Sequence, residues 1–116
     1  MAAKVGTKAF ATLILSFMPV GVFAASSIQT FPYECERGAM VWATYISGDE
    51  GSLAVIHVEG QQVALGQVIS GSGAKYAQSA DGVGYVWWTK GDEALLMWED
   101  VPNSTDETLL SQCKTN

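Results

Sequence analysis

The chain predicts a small all-β domain, an antiparallel barrel or sandwich, from three observations. Apolar residues from Tyr33 onward recur with period two, no run is long and periodic enough for a helix, and turn residues interrupt the runs about every ten positions. Closure into a barrel would remove the exposed edges that a sheet of this size otherwise leaves, and a sandwich stays open beside it.

The first 24 residues fall outside that pattern. Lys4 and Lys8 precede the apolar stretch AFATLILSFMPVGVFA, and Val22-Phe23-Ala24 has the small-residue character of a cleavage signal. The stretch is too short for a spanning helix and is interrupted by Pro19 and Gly21, so it reads as an export signal cut at Ala24-Ala25. With no cysteine at that junction, a lipid-anchored mature form is not expected, and the exported chain is expected to be soluble. Residues 25–116 then form one domain, without repeat, linker or low-complexity tract.

Along that domain, AMVWATYI sets Met40, Trp42, Thr44 and Ile46 against Val41, Ala43 and Tyr45, a strand expected to be largely covered on both faces. SLAVIHVEG and QVALGQV flank Glu59-Gly60-Gln61 as a hairpin, and GYVWWTK and EALLMWE flank Gly91-Asp92-Glu93 as a second. Adjacent Trp87 and Trp88 must point to opposite faces, one of them into the core. The last run, ETLLSQC, is ambiguous because Ser104 and Glu107 have capping-box spacing; a strand is favoured. Residues Ala77 to Gly84 read as an exposed, mobile connection. Cys35 and Cys113 sit near the two ends of the exported domain, and an oxidising compartment makes a disulfide the natural reading.

Composition limits function. Removing Lys4 and Lys8 with the leader takes the formal charge from −6 to −8, which disfavours nucleic acid and favours a cationic partner. His57 is the only histidine and lies in a strand pattern, where a structural imidazole is expected, so neither a zinc site nor histidine acid–base catalysis is supported. A Ser72/Lys90 nucleophile–base pair lacks any sign of an oxyanion hole. No enzyme, metal or cofactor is expected.

The ordered segments YECERG, SGSGAKY, YVWWTKGDEA and LLSQC resemble the bacterial C-type lysozyme inhibitor family, whose members are lipoproteins or free periplasmic proteins; the missing cysteine implies the periplasmic branch. The resemblance implies an eight-stranded barrel, a Cys35–Cys113 bond and inhibition of C-type lysozyme. Its Ser-Gly-x-x-Tyr loop falls on Ser72, Gly73 and Tyr76, and its lysine before Gly-Asp-Glu on Lys90. Ser72 and Lys90 are expected to meet the two catalytic carboxyl groups of the lysozyme while Tyr76 packs nearby and Lys75 acts at longer range. Two rival readings use only the bland features: a barrel that binds sugar or peptidoglycan fragments on a tryptophan face, and a structural protein of the envelope. A homodimer is compatible with either kind of function.

Overall fold

The computed structural model describes residues 27–116, so the expected leader lies outside the described residues. Eight antiparallel strands follow one another around a closed barrel: β1 (Ser27–Glu34), β2 (Met40–Gly48), β3 (Gly51–Val58), β4 (Gln61–Val68), β5 (Ala74–Ala77), β6 (Val83–Lys90), β7 (Glu93–Asp100) and β8 (Thr105–Lys114). Every ladder from β1 to β8 joins sequence neighbours, so each register is set locally by its turn. Between β3 and β4, Glu59 and Gly60 both have positive φ, 54° and 80°, which is the twist that suits a two-residue hairpin loop.

Period two decides what is inside. Val41, Ala43, Ala54, Ile56, Val58, Val63, Leu65, Trp87, Ala94 and Leu96 form one core with Tyr33, Tyr76, Leu110 and the two half-cystines. The expectation that β2 is covered on both faces is corrected: Met40 and Trp42 are 45% and 48% exposed, because nothing packs on the outside of a single-layer barrel. His57, opposite Trp42 on that outer face, is solvent-exposed rather than a buried structural imidazole.

The ambiguous last run is a strand. Ser104 takes a left-handed conformation, φ 55°, directly before β8, and pairing along β7 outweighs the local capping signal. The connection between β5 and β6 is shorter than expected and well tied, because Ala77, Val83 and Gly84 belong to the strands. Asp81 accepts from the Ser79 hydroxyl at 2.6 Å and the Val83 amide at 3.1 Å, bonds that hold its carboxyl below the usual range. The Gln78 side chain accepts from the Tyr85 amide, and Val101 donates to the Gly82 carbonyl. The segment read from its small polar residues as an exposed connection lies between β5 and β6 and is internally bonded.

Closure is where the barrel is thinnest. β1 and β8 share a single registered pair, Glu34 with Lys114, whereas the β1–β2 ladder runs through eight. The next residues along, Cys35 and Cys113, are joined by a disulfide. A bulge in β8 places Ser111 and Gln112 opposite Leu95, and the Ser111 amide donates to the Glu36 carboxylate at 3.0 Å. The seam is therefore covalent bond, one ladder pair and one side-chain bond.

Bridging residues 78 positions apart removes much unfolded-chain entropy, roughly 4 kcal/mol on the chain-entropy model. We predict that the Cys35→Ala/Cys113→Ala double variant loses about that amount in a urea titration, and that thiol titration of the denatured, unreduced protein finds no free cysteine. A double variant as stable as the parent would show that the seam closes without its covalent bond.

Candidate functional site

β6 carries the site because its two faces divide the labour. Trp87 points inward and is fully buried; its ring stands edge-on to Tyr33 at 5.1 Å, and its indole N–H donates to the Tyr45 hydroxyl at 2.8 Å. The Tyr45 and Tyr33 hydroxyls are also bonded, at 2.8 Å. Burial, reinforced by Tyr33, pushes the Tyr45 phenol far above its ordinary value, and burial raises Tyr76 as well. The stability gained by burying these neutral phenols is fully present below their unfolded value of about 10 and falls as pH rises through the raised folded values.

Trp88 points outward and organises the rim. Its indole N–H donates to the Ser72 carbonyl at 2.9 Å, which also accepts from the Ser70 hydroxyl at 2.6 Å. The Trp88 bond ties the loop between β4 and β5 to the barrel, the Ser70 bond braces it internally, and the Thr89 hydroxyl donates to the Ala74 carbonyl at 3.3 Å just beyond. Gly73 has φ +67°, and a Cβ there would lie 2.1 Å from the Thr89 carbonyl oxygen and 2.7 Å from Lys90 Cγ. Glycine is thus required at position 73 on two counts, by conformation and by contact. Gly71 has neither constraint. The Ser72 hydroxyl, on an exposed residue, has no hydrogen-bond partner among the described residues.

Two ammonium groups stand over the same indole, Lys75 Nζ at 5.2 Å and Lys90 Nζ at 5.3 Å from its centroid. Their charges differ in availability. Lys75 is bonded to Glu99 at 3.0 Å, with both side chains about one-fifth exposed. The register sets Lys75 opposite Trp88 and Glu99 opposite Gly84, so this bridge crosses above Val86, which is buried outside the main core. Arg37 pairs with Glu36 and Lys114 with Glu93. Of the four basic residues described, Lys90 alone has no carboxylate partner among the described residues. Among the described residues, that leaves one open ammonium, at the edge of the loop that carries Ser72.

The structure places the other two expected site residues differently from Ser72 and Lys90. Tyr76 is only 7% exposed, with its ring 5.7 Å from that of Tyr45 inside the barrel mouth, because strand alternation sends it inward when Lys75 goes outward. From there it packs beneath the loop that carries Ser72. Lys75 is likewise neutralised by Glu99 instead of standing as a free charge. Trp88, which assembles the rim, was legible only as one of two tryptophans on opposite faces; its bond to Ser72 depends on folding that brings residues sixteen positions apart together.

Residues 33–104 match the family profile described as membrane-bound lysozyme inhibitor of C-type lysozyme, over more than half of the chain. The chain belongs to this family. The inhibitor of that description from Pseudomonas aeruginosa is 43% identical over 69 residues, covering 59% of this chain and 51% of the relative. The one from Cupriavidus necator is 33% identical over 69 residues, covering 60% and 52%. The chain thus spans about half the length of the curated relatives it matches. Among solved structures, Pseudomonas aeruginosa MliC in complex with hen egg white lysozyme superposes with a TM-score of 0.62 at 29% identity, covering 91% of this chain and all of that one. The periplasmic inhibitor PliC from Salmonella typhimurium has a TM-score of 0.63 at 24% identity, covering 78% and 99%, a likeness of fold. Both curated relatives are described as membrane-bound.

The division of labour on β6 can be tested directly. We predict that Trp88→Phe costs about 1 kcal/mol, one hydrogen bond, and speeds amide exchange at residues 70–74. Trp87→Phe should cost roughly 2 kcal/mol or more, since it opens the core and leaves the buried Tyr45 hydroxyl short of a donor. Equal costs, with exchange in the loop unchanged, would contradict these roles.

Proposed function

We propose that this protein inhibits C-type lysozyme by plugging the enzyme's catalytic cleft with the Ser72–Gly73 loop and the Lys90 ammonium, and that it acts as a soluble periplasmic protein. The observation that carries this reading is the unneutralised Lys90, steered by Trp88 to the edge of the Ser72 loop. Membership of the inhibitor family and the likeness to a relative solved with hen egg white lysozyme support the choice of partner.

The chemistry is complementary. A retaining glycosidase of this kind sets two carboxyl groups across the scissile bond, about 5 Å apart, one a general acid and one ionised. Such a cleft attracts an ammonium and a hydroxyl donor. Lys90 supplies the charge and Ser72 the hydrogen bond, while the loop excludes the sugar chain. Gly73 keeps the loop close to the barrel, so little ordering entropy remains to be lost on binding. The acidic body speeds encounter with a cationic enzyme, and Lys90 keeps its charge because Glu93, its partner across the ladder, is bonded to Lys114 while the Lys90 ammonium stands over Trp88.

The test is inhibition of cell-wall lysis by purified protein. Lys90→Ala should weaken inhibition by roughly 2 kcal/mol or more by leaving an enzyme carboxylate buried and unpaired, and Ser72→Ala by about 1 kcal/mol. Lys90→Glu should be worse than either. Thermal stability should change little, since both residues are exposed in the free protein. A folded Lys90→Glu variant that inhibits like the parent would sink the plug model and bring sugar binding forward.

A further inference from the structure

The loop that carries Ser72 begins with a residue that has no reason in the fold to be apolar. Ile69 is 99% exposed, directly after Val68 at 42%. Across the end of β3, Leu53 is 49% exposed and faces Gly66 in the ladder, so no side chain stands between Leu53 and the Val68–Ile69 pair. These residues line one open groove, and its remaining wall is the turn that carries Glu50. An isolated exposed isoleucine is ordinary; one that completes an apolar floor beside a carboxylate is a recognition feature.

We infer that this groove is a second contact for the same lysozyme, receiving a basic side chain, arginine or lysine, from the rim of the enzyme's cleft. An aliphatic stem lies well on Leu53, Val68 and Ile69 while its charged end meets Glu50, the arrangement in which long basic side chains bury their methylenes and keep their charge paired. The inference rests on the plug reading above, and the choice of occupant follows from two facts. Ile69 is three residues from Ser72, hence within about 11 Å of it even with the chain extended, well inside the patch of about 800 Å² that one partner covers in an ordinary interface. The groove's charge is negative where Lys90 is positive, so the two contacts read opposite signs on one partner and fix its orientation.

The experiment measures binding of hen egg white lysozyme by calorimetry for the parent, Ile69→Ser, Glu50→Gln and Val101→Ser. Val101 is 60% exposed at the opposite end of the barrel and controls for general stickiness. Ile69→Ser should weaken binding about tenfold, as expected for an exposed aliphatic anchor that becomes buried. Glu50→Gln should weaken it about threefold and flatten the salt dependence, and Val101→Ser should leave it unchanged. Parent-like binding by folded Ile69→Ser and Glu50→Gln, in a protein whose Lys90→Glu variant does lose affinity, overturns the groove alone. A parent that does not bind the enzyme overturns the plug reading and the groove together.

Discussion

Everything in this barrel depends on how it is shut. Seven ladders join sequence neighbours and form from local turns, but the eighth, between β1 and β8, has one registered pair. The Cys35–Cys113 bond sits at that point and converts an open, twisted sheet into a closed one. A domain this small buries too little surface to tolerate a frayed seam, since only roughly two-thirds of its unfolded surface is removed from water. Once closed, the interior admits Trp87, Tyr33 and Tyr45 as a bonded aromatic cluster, and the alternation of β6 fixes Trp88 and Lys90 on the outside.

The rim follows from a contest over charge. Acidic residues outnumber basic ones two to one over the whole chain, so most cations are expected to find a carboxylate, and Arg37, Lys75 and Lys114 do. Lys90 is held instead by an indole face, which attracts an ammonium without neutralising it. The same indole anchors the loop through its N–H, so one side chain sets both the charge and the hydroxyl. Lys75, the nearer of the two lysines to the loop in sequence, is spent on the wall of the barrel, where its bridge to Glu99 covers Val86.

The antiparallel strands, the two hairpins and the split of Trp87 and Trp88 were legible in the sequence because period two and turn chemistry act over a few residues; the cysteine pair was legible from the expected export, and the closed eight-stranded barrel only through the family resemblance. The failures have a common physical origin. Met40 and Trp42 looked like core because apolar pattern alone does not say whether a sheet is covered on one face or two. Tyr76 and Lys75 are adjacent in sequence, yet neighbours on a strand face opposite ways, and pattern alone did not show that Lys75 would meet Glu99. The turn at Asp81 looked loose because its order comes from hydrogen bonds to Val83 and across the ladder, which composition does not reveal. The last run, where a strand was favoured over the capping signal at Ser104, is a strand because it pairs along β7.

The central claim is that Lys90 reads a catalytic carboxylate, and a double-mutant cycle measures that contact alone. Binding would be compared for the parent and Lys90→Ala, each against native C-type lysozyme and against enzyme whose two catalytic carboxyl groups are replaced by carboxamides. The account predicts strong coupling: the lysine should matter with the native enzyme and lose most of its value once the carboxylates are neutral, a difference of about 2 kcal/mol. If Lys90→Ala weakens binding equally against both enzymes, the lysine acts elsewhere and the plug is the wrong description of this barrel.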